Sequence, residues 1–306
     1  MNYPVTFRSN EIWNEPKRIV PYLLDWVQSQ RWTGKSTHHE ITITEKDEFL
    51  IYTSDLNKII GFLLELHSSK NQNYRSTYFV PIEIARKVKN FKDFSIILNC
   101  QDEKLFLRPA EENKLFFQTL LKDLINNREI QTLNSNKIQF NRLFSKFNSN
   151  LNITSTNLLG NGNTTNTLFK IRLSDDSKLI IKIFRIFSRN PEVKMLKMLY
   201  QAGFHHVPQP LGSVSVKLDD QLYLLILFSE FIESVGDGGI YFWTNLNQQI
   251  NSWKPGNTVQ PDPLKFYCES LGKIVSDLHY YSSRIDDDFF KPEIISQKDI
   301  MNWKRK

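Results

Sequence analysis

The sequence predicts an α+β chain with three parts: an N-terminal mixed α/β domain, an antiparallel sheet with one helix, and the opening of a helical region. Three observations predict this. An apolar stripe of helical period is followed by short runs rich in Ile, Phe, Tyr and Thr. A polar stretch rich in Asn and Ser then interrupts the pattern. Beyond it, strand-like runs separated by glycine and polar turns give way to helical spacing.

In chain order, Pro16 after Asn14-Glu15 marks a helix start, and Ile19, Val20, Leu23, Leu24 and Val27 give that helix one apolar face. Between Ile41 and Leu107 the runs Phe49–Thr53, Ile59–Leu66, Tyr78–Pro81 and Ser95–Leu98 read as a small antiparallel sheet. Leu115 to Ile125 returns to helical spacing. Asn126 to Asn150 is the natural boundary, although Phe140, Leu143, Phe144 and Phe147 argue against full disorder there. Strands follow at Ile153–Leu159, Thr167–Leu173 and Lys178–Arg185, then a helix over Pro191–Ala202. A strand pair, Leu211–Val216 and Leu222–Ile232, and helices from Tyr241 and Pro263 complete the chain. The domains expected are therefore 1–130, a linker over 131–150, 151–235, and 236–306.

Composition excludes several function classes. With 40% hydrophobic and 13% aromatic residues among 306, the chain can build packed cores. The net charge of +6 comes from scattered lysines and arginines, so a solvated basic surface is expected rather than a nucleic-acid interface. Cys100 and Cys268 stand far apart and outside any C-x-x-C spacing, which supports neither zinc nor a disulfide framework. No apolar signal region opens the chain, and the longest apolar run, Leu222 to Phe228, is too short to span a bilayer. A cytoplasmic protein without membrane association is expected.

The chemistry-bearing residues cluster after the polar stretch. Gly160, Asn161, Gly162, Asn163, Thr164 and Thr165 lie between two strands, where glycine lets the backbone approach a phosphate and adopt positive φ. The segment is not a Walker A loop, since no G-K-[ST] follows, and alone it reads more readily as a hairpin turn than as a phosphate clamp. Lys182 sits inside Leu179-Ile180-Ile181-Lys182-Ile183-Phe184, a run apolar on both faces. A lysine there needs an anionic partner or a route to water. Asn190-Pro191-Glu192 then opens a helix that carries an acid. In kinase-like folds a third-strand lysine holds nucleotide phosphates and pairs with a glutamate of the next helix, and the hinge after the fifth strand meets adenine. Here those places fall at Lys182, at Glu192, and at Glu230 and Ile232. The histidines His38, His39, His67, His205 and His206 have no partners at metal-ligand spacing.

These stretches resemble the maltokinase family, kinase-like enzymes related to aminoglycoside phosphotransferases and often associated with trehalose synthase. Gln30-Arg31-Trp32-Thr33-Gly34-Lys35-Ser36 is similar to the R-W-F-G-G-K signature of that family's N-terminal cap. Leu179 to Arg185 resembles its lysine strand, Asn190-Pro191-Glu192 its N-P-E motif, and Gly203-Phe204-His205-His206-Val207-Pro208 its G-F-x-x-V-P turn. Gly236-Asp237-Gly238-Gly239-Ile240-Tyr241 is similar to G-D-G-W-x-Y, and Leu271-Gly272 with Leu278-His279 to L-G-x-x-x-x-x-L-H. Thr33 stands where the family has phenylalanine, Gly239 where it has tryptophan, and Lys194 where it usually has the pairing glutamate.

The resemblance implies a cap domain, a kinase-like N-lobe and the start of a helical C-lobe. It also implies transfer of the γ-phosphoryl of ATP to the anomeric hydroxyl of maltose with Mg²⁺, within trehalose and glycogen metabolism. The family takes its catalytic aspartate and Mg²⁺ ligands from an H-x-D-x-H loop and a later D-F-E stretch. Neither appears in the 27 residues after His279. The expectation is therefore an N-terminal piece, inactive alone and completed by a separate C-terminal kinase segment. Two alternatives remain open: a non-catalytic pseudokinase or subunit that binds trehalose synthase or a related enzyme, and a kinase of another small molecule.

Overall fold

The structure, a computed structural model, describes residues 1–33, 41–68, 75–88, 90, 93–143, 151–160, 165–218, 220–252, 264–291 and 294–304. The described chain divides into two units, Met1–Val193 with Pro210–Phe231, and Lys194–Gln209 with Ile232–Lys306. Among the described residues no helix is long and apolar enough to cross a membrane, and Cys100 and Cys268 are free thiols.

The first unit carries two sheets. Strands β1 (Asn2–Pro4), β2 (Ile41–Thr53), β3 (Asn57–Ser68), β4 (Arg75–Ala85), β5 (Ile96–Asn99) and β6 (Lys104–Pro109) form one in the order β1-β5-β6-β4-β3-β2. Its pairs are antiparallel apart from β1 and β5. Helices α1 (Ser9–Asn14) and α2 (Val20–Gln28) bury Ile12, Val20, Leu23, Trp26 and Val27 with Ile60, Phe62, Leu64 and Leu66 of β3. Because side chains alternate along a strand, Ile59 and Leu63 of β3 turn to the opposite core with Phe49 and Phe79. That explains why β3 reads as a nearly continuous apolar run. Gly61 faces Phe49 across the β2–β3 pair, and a Cβ there would stand 2.5–3.0 Å from the Phe49 ring. The glycine makes room for the aromatic.

Helix α3 (Lys114–Ile125) starts where Asn113 Oδ1 accepts the Leu115 amide at 2.9 Å, an N-cap. It buries Phe116, Phe117, Leu120, Leu121 and Leu124 in the core shared with the second sheet. That sheet consists of β7 (Glu129–Gln131), β8 (Lys137–Arg142), β9 (Ile153–Leu159), β10 (Asn166–Leu173), β11 (Lys178–Phe184), β12 (Pro210–Leu218) and β13 (Gln221–Glu230). Its order is β7-β8-β12-β13-β11-β10-β9, antiparallel throughout.

The expected linker over 131–150 is corrected in its first half. Gln131 ends β7, and β8 pairs with β12 along its length, placing Ile138 and Phe140 in the core. The intervening turn is anchored by Asp47, whose carboxylate accepts Asn134 N at 3.1 Å and Asn136 Nδ2 at 2.8 Å. Residues 144–150 lie outside the described residues.

Backbone hydrogen bonds join the two sheets directly. Phe79 N donates to Arg185 O and Phe187 N to Thr77 O, both at 2.8 Å, so the residues after β11 run alongside β4. At this joint the Arg185 guanidinium pairs with Glu111, their side chains only 4% and 8% exposed. It also donates from Nε to Thr167 Oγ1 at 3.1 Å and lies over the Trp32 ring at 5.4 Å. Trp32 is 7% exposed and packs against Trp26 and Tyr78 at 6.4 and 5.4 Å between ring centroids. Of the cap motif, Arg31 is exposed, while Gly34, Lys35 and Ser36 lie outside the described residues.

Helix α4 (Glu192–Gln201) begins in the first unit and continues in the second, which also contains α5 (Gly238–Ser252), α6 (Lys265–Ser283) and α7 (Gln297–Lys304). Asp262 and Pro263, the expected start of α6, lie outside the described residues. Tyr241 meets Tyr267 at 5.3 Å and Phe204 meets Tyr281 at 6.0 Å between centroids. Yet α5, α6 and α7 bury no residue at all. Trp243, Ile250, Phe266, Leu271, Val275 and Trp303 all lie in water. Asp287 accepts Phe289 N at 2.9 Å and pairs with Lys194 at 2.7 Å, so the Asp286-Asp287-Asp288 run is a capped, ion-paired turn.

Candidate functional site

Register fixes which side chains share a face of the second sheet. Lys182 stands opposite Leu168 of β10 and Leu227 of β13, while its neighbours Ile181 and Ile183 enter the core. Period two then carries Ile180 and Lys178 of β11, and Lys170 and Arg172 of β10, onto the same face as Lys182. Strand β9 adds Leu159, Asn157 and Ser155, which stand opposite Leu168, Lys170 and Arg172.

The lysine has found its anion. Lys182 Nζ lies 2.8 Å from both carboxylate oxygens of Glu192, with side chains 22% and 26% exposed. The sequence builds this locally: Asn190 Oδ1 accepts the Glu192 amide at 2.9 Å, and Pro191 stands between them, so Glu192 enters at the head of α4. Lys194 takes no part, pairing instead with Asp287. The Lys182 ammonium also lies 4.9 Å from the centroid of the Phe184 ring. Partial exposure keeps it open to an oxyanion that the carboxylate does not fully neutralise.

Of the expected glycine loop, Gly160 follows β9 with φ +81°, a conformation that glycine adopts without strain, and among the described residues nothing would lie within 4 Å of a Cβ there. Asn161, Gly162, Asn163 and Thr164 lie outside the described residues. Thr165 is exposed just before β10. Glu230 closes β13 opposite Leu179, whereas Ile232 falls in the second unit, exposed. Among the described residues no group of three His, Cys, Asp or Glu gathers where a metal could be held, so no described residue is assigned to Mg²⁺.

Sequence reasoning missed the rest of this face. Lys170, Arg172 and Lys178, with Ser155 and Asn157, line a cavity of about 210 Å³. A neighbouring cavity of about 250 Å³ is lined by Lys178, Glu230 and Phe231 among others. Counting by twos back from Lys182 and through the Ser174–Ser177 turn would have placed all three cations beside it.

No family profile matches the sequence, and no curated protein matches it. Among solved structures, one crystal form of glucosamine kinase superposes with a TM-score of 0.52 at 11% identity, over 94% of this chain and 55% of its own. The chain shares its fold with glucosamine kinase. Another crystal form of glucosamine kinase matches with a TM-score of 0.46 at 11% identity, over 85% of this chain and 49% of its own. Glucosamine kinase in complex with glucosamine, ADP and inorganic phosphate matches with 0.45 at 11% identity, over 85% and 51%. The chain thus spans about half the length of these three glucosamine kinase chains. The expected kinase-like fold holds at this coarser level.

Proposed function

We propose that this chain is the nucleotide-binding part of an ATP-dependent phosphotransferase acting on a small sugar, and that the face carrying Lys182 receives the nucleotide phosphates. The observation that supports it best is the Lys182–Glu192 pair, with both N–O distances at 2.8 Å, on a sheet whose fold is shared with glucosamine kinase. In this reading Glu192 holds the ammonium in place and Lys182 donates to phosphate oxygens, with Gly160 and Thr165 bounding the segment expected to contact them. Leu159, Leu168 and Ile180 offer an apolar bed for the base, and the backbone at Glu230 supplies a hydrogen bond to it. Mg²⁺ would neutralise the polyphosphate charge when bound. No described residue is assigned to hold it, and none is assigned as catalytic base.

Maltose as acceptor rests on the family resemblance, as do trehalose synthase and a separate C-terminal kinase segment as partners. A second reading, a non-catalytic subunit, is favoured by the bare helices of the second unit, which offer a large apolar surface to another polypeptide. Calorimetry with ATP tests the first reading. Wild type binds, and Lys182→Met loses at least tenfold in affinity, about 1.4 kcal/mol. Equal binding by both proteins removes Lys182 from the site.

A further inference from the structure

Two acids of β2 sit where a proton suits them better than a charge. Glu45 and Glu48 stand opposite Leu64 and Phe62 of β3, which places both on the helix-covered side of the first sheet. Glu45 Oε1 and Glu48 Oε2 are shut off from water, and neither finds a hydrogen-bond partner among the described residues. Glu48 as a whole is 9% exposed. A carboxylate so placed carries a desolvation cost that protonation removes. The charged groups that face Glu48 are Glu45 and Asp47 of its own strand, Lys17 of the short helical turn Pro16–Ile19, and Lys58 of β3. The Lys58 ammonium donates to the carbonyl of Trp13, and burial pushes its pKa down.

The same stretch of backbone ties β2 to the β7–β8 hairpin. A register shift between Glu45 and Asp47 breaks the ladder here, and Asp47 stands across from Leu63, on the side of the core shared with the second sheet. There its carboxylate accepts the Asn134 amide, the Asn136 side chain and, at 2.9 Å, the amide of Glu48 itself. The Glu48 carbonyl accepts Leu133 N at 2.8 Å. Strand β2 ends the order of its sheet, so residues 45–48 are held by β3 on one edge and by the hairpin turn on the other. Glu48 thus carries both a buried, unsatisfied carboxyl and the carbonyl that fastens the hairpin.

We propose that Glu48 is a proton-operated latch: protonated, it lets β2 close on the β7–β8 hairpin, and ionised, it loosens residues 45–48 and frees the turn at 132–136. Burial pushes the Glu48 carboxyl up to about 7, Glu45 adds to the rise, and burial raises Glu45 as well. A carboxyl raised in the closed form favours closure while protonated. That preference is complete below the open-state value near 4.5 and is lost as pH climbs through about 7. Between pH 6 and 8.5 these two values give about a tenfold rise in opening. The latch stands apart from the nucleotide reading, because it uses no residue of the Lys182 face.

The test is amide hydrogen exchange of the full chain by NMR at pH 6 and 8.5, with each rate corrected for the intrinsic pH dependence of exchange. Leu133 and Asn134 exchange by local opening, faster than Ile181 and Ile183 of the core at both pH values. Their opening constant rises about tenfold between the two, and in Glu48→Gln it is the same at both. In Glu45→Gln, where the neighbouring charge is gone, the rise moves to lower pH, which keeps the comparison open if Glu48→Gln fails to fold. An equal rise in wild type and Glu48→Gln overturns the proposal, as does a rise left in place by Glu45→Gln. Exchange of Leu133 no faster than the core overturns it too, since the turn would then open only when the whole chain unfolds.

Discussion

Replacing Trp32 by alanine tests what the cap motif does. Its indole is 7% exposed and wedged between Trp26, Tyr78 and the Arg185 guanidinium, at the place where the two sheets of the first unit are joined. Truncating a buried aromatic of this size costs about 3–5 kcal/mol through lost transfer energy and the cavity left behind. The same change removes the ring face over which the Arg185 guanidinium lies at 5.4 Å. A protein of this size loses about 2–4 °C per kcal/mol, so the melting temperature should fall by roughly 10 °C. Differential scanning calorimetry of wild type and Trp32→Ala measures it, with Trp303→Ala, at a position 62% exposed, as the control expected to change by less than about 1 °C. A fall of under 2 °C at Trp32 would refute the reasoning. It would mean that the sheets are held by their backbone hydrogen bonds alone.

Stability should also depend on pH through Glu48, whose carboxyl burial pushes up to about 7, with Glu45 and Asp47 adding to the rise and Lys17 and Lys58 opposing it. Its Oε2 finds no partner among the described residues. A raised carboxyl favours the folded state while protonated, so this contribution is intact below the unfolded pKa near 4.5 and is lost as pH climbs to about 7. Glu48→Gln should therefore match wild type at pH 4 and exceed it at pH 8 by roughly 1–3 kcal/mol, read from urea unfolding at both pH values; equal stability at pH 8 would show a solvated carboxylate. On the second unit, Leu271 and Val275 of α6 are 52% and 44% exposed. The chain should bind a hydrophobic dye and self-associate in light scattering, and Leu271→Glu/Val275→Glu should lower both signals, whereas a dye-silent monomer would show that the helices need no cover.

Much of the second sheet was legible because its strands are short, amphipathic and punctuated. The turn at Ser174–Ser177 and the apolar runs on each side predict β10 and β11 within a residue or two. Lys182 announced itself as a charge inside an apolar run. The segment after α3 was misread because its turn residues Asn134 and Asn136 look like linker, and nothing local reveals that buried Asp47, far earlier in the chain, ties them down. Likewise β2 begins well before the run that predicts it. Its first half carries Glu45, Asp47 and Glu48, and a register shift between Glu45 and Asp47 breaks the alternation. The basic side chains Lys170, Arg172 and Lys178 escaped notice although period two through the Ser174–Ser177 turn reaches them, while Ser155 and Asn157 of β9 join them only through the pairing register.

The account stands or falls on where a nucleotide places its phosphates. An acyl-phosphate derivative of ATP transfers its acyl group to a lysine amine held beside the polyphosphate, and mass spectrometry of the digested full chain reads which lysine carries it. The account predicts one dominant site, Lys182, with labelling suppressed by excess ATP and strengthened in Glu192→Gln, where the ammonium loses its competing carboxylate. Labelling that spreads over Lys170, Lys178 and surface lysines, or that ATP does not suppress, would contradict it.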